Sequence, residues 1–352
     1  MHAIPRNLAA CGAARRLRAA LLLGFAFLAS AHAWGTSTAP AHAAASALSA
    51  TRTAPFADSI VKISASILSN AHSLATLGRK REGSGILIDP ETVVTIGYLI
   101  LEAESVQIET ASGRTVPASV IGYDHASGLG LVRALVPIEG APIALGDSDQ
   151  VLESQGVLTI GQGEAETTPL VVVSRKSFAG SWEYLLEQPI FTFPPVNNWS
   201  GSALLSAEGK LVGVGSLIVE DAASGKPGVP GNLFVPVNLL KPMLANLKNE
   251  GRVAGSGRPW LGLTTESIQG RLLVVRVAAQ GPADLAGVEA GDLVVGVGEE
   301  PVADQADFYR RLWRSGPPGT TIALRVMRLG EIRELELKSI DRHDFVAKPA
   351  GI

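Results

Sequence analysis

The sequence predicts a mainly β protein made of two folded units, a larger all-β one followed by a smaller α+β one. Three observations predict this. Residues 83–217 carry a series of short apolar or alternating segments separated by turn signals, the pattern of a barrel or sandwich. A Gly/Ser-rich stretch, 251–257, then precedes a strand–helix–strand pattern that runs to about residue 342. The composition, 46% hydrophobic against 18% charged, is globular, and 352 residues are enough for two or three domains.

The first 33 residues read as a targeting segment. Arg6, Arg15, Arg16 and Arg18 give a basic start with no acid, residues 19–29 are a short apolar run, and Ala31-His32-Ala33 is a small-x-small cleavage site. Ala41-His42-Ala43 is a second candidate site. The run is too short to span a bilayer, so no stable membrane span is expected after cleavage. The Arg15-Arg16 pair leaves twin-arginine export open beside the general secretory route. The only cysteine, Cys11, precedes the apolar run, which argues against a lipidation box and leaves the exported part without a disulfide or a thiol nucleophile. Residues 34–57, rich in Ala, Ser, Thr and Pro, read as a disordered lead-in.

Charge and chemistry exclude several functions. The net charge is −3, and setting aside the four leader arginines makes the remainder more acidic still. No basic cluster offsets this, so nucleic acid is not an expected partner. The histidines are scattered and cysteine is absent beyond the leader, so no metal site is expected. Gly161-Gln162-Gly163 lacks the third glycine and the helix of a phosphate loop. No cofactor is expected.

The folded part opens with the apolar stretch 56–68. Strands follow at 85–88, 92–95, 106–110, 116–121, 129–134, 156–160, 170–174, 203–205 and 211–217. Asn238 is read as the cap of a helix to about Lys248, with Leu239, Leu240, Met243, Leu244 and Leu247 as its apolar stripe and Pro242 in its first turn. In the second unit a strand at 272–277 leads to Pro282-Ala283 and Ala286-Gly287. A strand follows at 293–297, then a helix from Asp304 to Arg314 and two strands, 321–328 and 332–338, meeting at a turn with Gly330.

The order of these motifs resembles the HtrA family, secreted trypsin-like serine proteases followed by a PDZ domain. The resemblance is carried by Gly83-Ser84-Gly85-Ile86, Ile121-Gly122-Tyr123-Asp124, Leu145-Gly146-Asp147-Ser148, Asn198-Trp199-Ser200-Gly201-Ser202, Glu208-Gly209-Lys210, Trp260-Leu261-Gly262-Leu263 and Pro282 through Asp292. It covers about residues 58–342 and implies a double six-stranded antiparallel β-barrel, residues 58–250, then an α+β PDZ domain, 258–342, and a C-terminal tail, 343–352. It also implies a bacterial periplasmic or secreted location, a role in envelope protein quality control, and a homo-oligomer such as a trimer.

The resemblance places the nucleophile at Ser200, in an oxyanion turn of Asn198, Trp199 and Ser200, where the family carries Gly-x-Ser-Gly-Gly-Pro-Leu. Its base position, about a hundred residues upstream, is Tyr98 in Val94-Thr95-Ile96-Gly97-Tyr98-Leu99. Its acid position in Asp-x-x-x-Asp-Leu is Gly128. Serine acyl transfer needs a base, a group to orient it and oxyanion donors. A phenol with an ordinary pKa near 10 is a poor base at neutral pH. Histidine 125 lies near in sequence but on a preceding turn. Ser200 is therefore either a reacting serine or a turn hydroxyl bonding locally. In the second unit, the resemblance makes Leu261-Gly262-Leu263 the carboxylate-capturing loop for C-terminal or unfolded polypeptide segments. Phe308 and Leu312, four apart on one helix face, are either its apolar pocket or helix core.

The expected function is an inactive peptide- or protein-binding scaffold. The alternatives are a serine-type endopeptidase using Ser200 with a non-standard base, and a holdase-like chaperone.

Overall fold

The computed structural model describes residues 56–251 and 257–349. The targeting segment, nearly all of the lead-in, most of the linker and the last three residues lie outside the described residues.

The first barrel is closed in the order β1-β2-β3-β6-β5-β4, from β1 (Ile60–Ile67), β2 (Lys80–Leu87), β3 (Thr92–Ile96), β4 (Ala103–Glu109), β5 (Thr115–Tyr123) and β6 (Leu129–Ala134). All its ladders are antiparallel. Branched aliphatic side chains suit this pleated, half-buried surface. Ile63, Ile86, Val94, Ile108, Leu129 and Leu131 are fully buried inside it. Each such burial is worth roughly 1.5–3 kcal/mol relative to exposure.

The second barrel uses β7 (Gly156–Ile160) and β8 (Thr168–Ser174). A two-stranded hairpin of β9 (Phe178–Gly180) and β10 (Tyr184–Leu186) then leaves the barrel before β11 (Ile190–Phe193), β12 (Ala203–Leu205), β13 (Leu211–Val219) and β14 (Gly231–Pro236) close it. The closed order is β11-β14-β13-β12-β7-β8, again antiparallel. The fold class expected from the sequence, a double six-stranded antiparallel barrel ahead of an α+β PDZ unit, is what forms.

The segment after Asn238 differs from its expected single helix. A 3-10 turn, Val237–Leu239, is followed only later by an α-helix, Leu244–Glu250. The Asn238 side chain does not cap. Its amide reaches Asp147 at 2.6 Å, and its oxygen accepts from the Ser148 N–H at 3.4 Å. Pro242 has no N–H to continue a helical ladder, so the segment breaks there. Gly251 (φ 70) ends the helix in the left-handed region that glycine enters freely.

The PDZ unit begins with β15 (Pro259–Trp260), β16 (Leu263–Ile268) and β17 (Arg271–Val277) and continues with β18 (Leu293–Val297) and β19 (Glu300–Pro301). The helix Gln305–Arg314 is capped by Asp304, which accepts from the Asp307 N–H at 2.8 Å. β20 (Thr321–Arg328), β21 (Glu331–Lys338) and β22 (Ile340–Asp341) complete it. The chain then returns to the first barrel. Phe345 stacks on His72 at 4.2 Å, and the Ala347 N–H donates to Glu102 at 2.9 Å.

Candidate functional site

Ser200 sits on the turn that enters β12, and the two barrels meet at it. The Ser84 N–H of β2 donates to the Ser200 carbonyl at 2.7 Å. A Cβ on Gly83 would lie 2.8 Å from Ser200 Oγ, so only glycine lets β2 approach this closely. Gly201 (φ 75) takes the left-handed backbone of the turn, and a Cβ there would strike the Ser84 carbonyl at 2.0 Å. The left-handed conformation thus falls on Gly201 and not on Asn198. The Asn198 amide instead donates to the Gln162 carbonyl at 2.7 Å. The Trp199 indole N–H is buried without a hydrogen-bond partner.

Tyr98 occupies the 3-10 turn Gly97–Leu99 at the end of β3, and its hydroxyl stands 2.8 Å from Ser200 Oγ and 3.1 Å from the Ser216 carbonyl. A phenol has one proton to give and the carbonyl can only accept. Tyr98 therefore donates to one of the two oxygens and takes no proton from serine while it remains neutral. Burial pushes its pKa up to about 12, against the weaker pull of the Ser200 hydrogen bond. At neutral pH the phenolate fraction is then on the order of 10⁻⁵.

A buried polar network fixes the turn. Arg81 donates to the Tyr98 and Leu101 carbonyls at 2.7 and 3.0 Å and to Ser73 Oγ at 2.7 Å. Glu102 closes the network, accepting from Ser73 Oγ (2.5 Å), the Ser73 and His72 N–H groups (2.9 and 3.0 Å) and Ala347. Burial opposes ionisation of Glu102, but the donors, Ser73 first, outweigh it and hold its carboxyl below the ordinary range.

Gly128 adopts φ 77, and its carbonyl accepts from the Gly97 N–H at 2.7 Å. A Cβ on it would meet the Tyr184 hydroxyl at 2.9 Å, and that hydroxyl is itself fixed on the Ser127 carbonyl at 2.6 Å. His125 is engaged elsewhere. It packs edge-on against Tyr123 at 4.6 Å and faces His343 at 6.4 Å. It lines a small cleft with Tyr123, Arg258, Trp260 and Arg342 that does not reach Ser200. Burial, with Arg342 adding to it, drives its pKa well below the ordinary 6.5.

The Leu261-Gly262-Leu263 loop points its three N–H groups at one acceptor, the Glu183 carboxylate, at 3.0, 2.7 and 2.8 Å. Gly262 sits at φ 85, which a side chain would strain. Phe308 and Leu312 are both fully buried, in one cluster with Leu261, Leu263 and Leu185. Glu183 and Leu185 are not among the residues expected from the sequence. The available signal was a lone acid inside the apolar run Trp182-Glu183-Tyr184-Leu185-Leu186. Among the described residues no cluster of His, Cys, Asp or Glu could hold a metal ion. No described helix is long and apolar enough to cross a membrane.

Two protein families match the chain: the trypsin-like peptidase domain over residues 83–214 and the PDZ domain over residues 259–339. The periplasmic pH-dependent serine endoprotease DegQ of Escherichia coli is 28% identical over 272 residues, covering 72% of this chain and 58% of that protein. The serine protease PepD of Mycobacterium tuberculosis is 30% identical over 295 residues, covering 76% and 62%. The chain thus spans little more than half the length of these relatives. Among solved structures, the HtrA-type protease AlgW with a tripeptide superposes with a TM-score of 0.50 at 20% identity, covering 87% of this chain and 98% of that one. That likeness speaks to the fold.

Proposed function

The chain belongs to the HtrA family, and from that premise we propose that it is a peptide-binding scaffold of the bacterial envelope whose peptidase domain does not cleave. One observation carries the reading: a half-buried, neutral phenol stands at hydrogen-bond distance from Ser200 Oγ, where acyl transfer needs a proton acceptor. Gly128, with no room for a side chain, removes the group that would orient a base. The PDZ loop supports the binding half of the reading, because three converging N–H groups form an anion-capturing nest. Its ligand class is polypeptide C-termini with an apolar last residue. The envelope location and a homo-oligomeric state are part of this proposal, resting on the relatives and the leader-like first residues.

The test is labelling by a fluorophosphonate probe beside casein degradation. The expected result is no labelling that depends on Ser200 and no cleavage. Labelling of wild type but not of Ser200→Ala, with casein turnover, establishes instead a serine-type endopeptidase using Ser200 with a non-standard base.

A further inference from the structure

The groove that would receive a partner is already filled by the chain itself. The β9–β10 hairpin lies along it and supplies a backbone carbonyl, a carboxylate and an apolar side chain, the three kinds of group a peptide C-terminus would bring. The Thr265 N–H of β16 donates to the Ser181 carbonyl at 2.9 Å, the backbone bond of strand addition. The Tyr309 hydroxyl donates to the Gly180 carbonyl at 2.7 Å. The Glu183 carboxylate takes the three N–H groups of the nest. Leu185, 4% exposed, is buried with Leu261, Leu263, Phe308 and Leu312. Beyond the hairpin, Arg310 on the groove helix grips Glu187 through two bonds, at 2.9 and 2.7 Å.

The backbone of Glu183 adds an independent sign. Its φ is 56, a left-handed conformation that a glutamate seldom adopts. Glycine would take that φ without strain, yet the residue present carries a carboxylate and aims it into the nest. Local strain of this kind persists where the surrounding contacts over-determine it.

We propose that Glu183 is an internal ligand of the PDZ nest, its side-chain carboxylate standing in for a peptide C-terminus, so that an external polypeptide enters only after residues 178–187 leave the groove. The proposal rests on the reading of the nest as a carboxylate site given above. A competitor must supply what it displaces: a carboxylate, a backbone carbonyl for Thr265 and an apolar side chain for the Leu185 position. Because the internal ligand is tethered, its effective concentration is on the order of millimolar for a short connection. If the groove is open for about one molecule in ten to one in a hundred, external affinity falls about 10- to 100-fold.

The experiment uses the full chain and a fluorescent pool of random decapeptides ending in a free leucine carboxylate, beside the same pool as C-terminal amides. Wild type and Glu183→Ala are titrated with both. The expected result is acid-pool binding at least about 10-fold tighter to Glu183→Ala, with the amide pool weak on both. Equal acid-pool affinity of the two proteins, with the acid still preferred over the amide, overturns the internal ligand and leaves the carboxylate reading standing. No preference for acid over amide in either protein overturns both. Should Glu183→Ala not fold, hydrogen exchange on ligand-free wild type decides. Slow exchange at the Leu261, Gly262 and Leu263 amides is expected, and exchange at the rate of exposed loops overturns the proposal.

Discussion

The hydroxyl of Tyr184 fills the space that a side chain on Gly128 would need, lying 2.9 Å from where its Cβ would be. Together with φ 77 at Gly128, this leaves no room for a side chain at the position that the resemblance assigns to the acid. Gly128→Asp is expected to lower stability by about 1–3 kcal/mol, from left-handed strain and displacement of Tyr184. Urea unfolding measures it. The double variant Tyr98→His with Gly128→Asp is expected to show no Ser200-dependent fluorophosphonate labelling. Labelling of that variant would mean that Tyr184 yields.

Tyr98→Phe removes the phenol and leaves the ring in place. The expected cost is about 1 kcal/mol, the net worth of one such hydrogen bond. On the proposed reading casein turnover is expected to stay absent, because the substitution brings no proton acceptor to Ser200. A gain of cleavage in Tyr98→Phe would show that the phenol was restraining a competent serine.

Glu102→Ala should be the most damaging of these changes, by about 3 kcal/mol, since it orphans the buried donors of Ser73 and takes away the acceptor of the part-buried His72 and Ala347 N–H groups. The pH dependence follows from the lowered carboxyl. Such a group stabilises fully above its ordinary value of 4.5 and loses that contribution as pH falls through its lower folded value. The advantage of wild type over Glu102→Gln in thermal unfolding should therefore be steady near neutrality and disappear on strong acidification.

Glu183 titrates with the opposite sign. Burial pushes its carboxyl up to about 7, outweighing the N–H groups of Leu263 and Leu261, the Arg342 charge and the Gly262 N–H. A raised acid favours the buried, docked state at low pH, and that stabilisation is lost as pH rises from 4.5 through about 7. Thermal unfolding of wild type against Glu183→Gln is expected to show a wild-type advantage that shrinks between pH 5 and pH 8, values chosen to bracket that window. An advantage that grows over this range would mean that the nest holds the carboxylate well below its ordinary pKa.

Much of this was legible in the sequence because it is local. The Asp304 cap, the Gly330 turn and the alternating strands carry their own signals within a few residues. Pairing Tyr98 with Ser200 was also reachable, since motif order placed both. The helix after Asn238 was misread because an Asn before an apolar stripe looks like a cap, while its side chain is drawn away by Asp147 and Ser148, about 90 residues earlier. The β9–β10 hairpin left no periodic trace. Its strands are three residues long, and Glu183 finds its donors 78 to 80 positions along the chain.

The return of residues 345–347 to the first barrel has a mechanical consequence. A module joined only through its entry would behave as a pendulum, whereas Phe345 on His72 and Ala347 on Glu102, beside the hairpin in its groove, make it a bridge with a further abutment. Shortening the protein after Asp341 would free one abutment. The same cut would withdraw a strut from the brace beneath Tyr98, 245 positions upstream of Ala347 at Glu102.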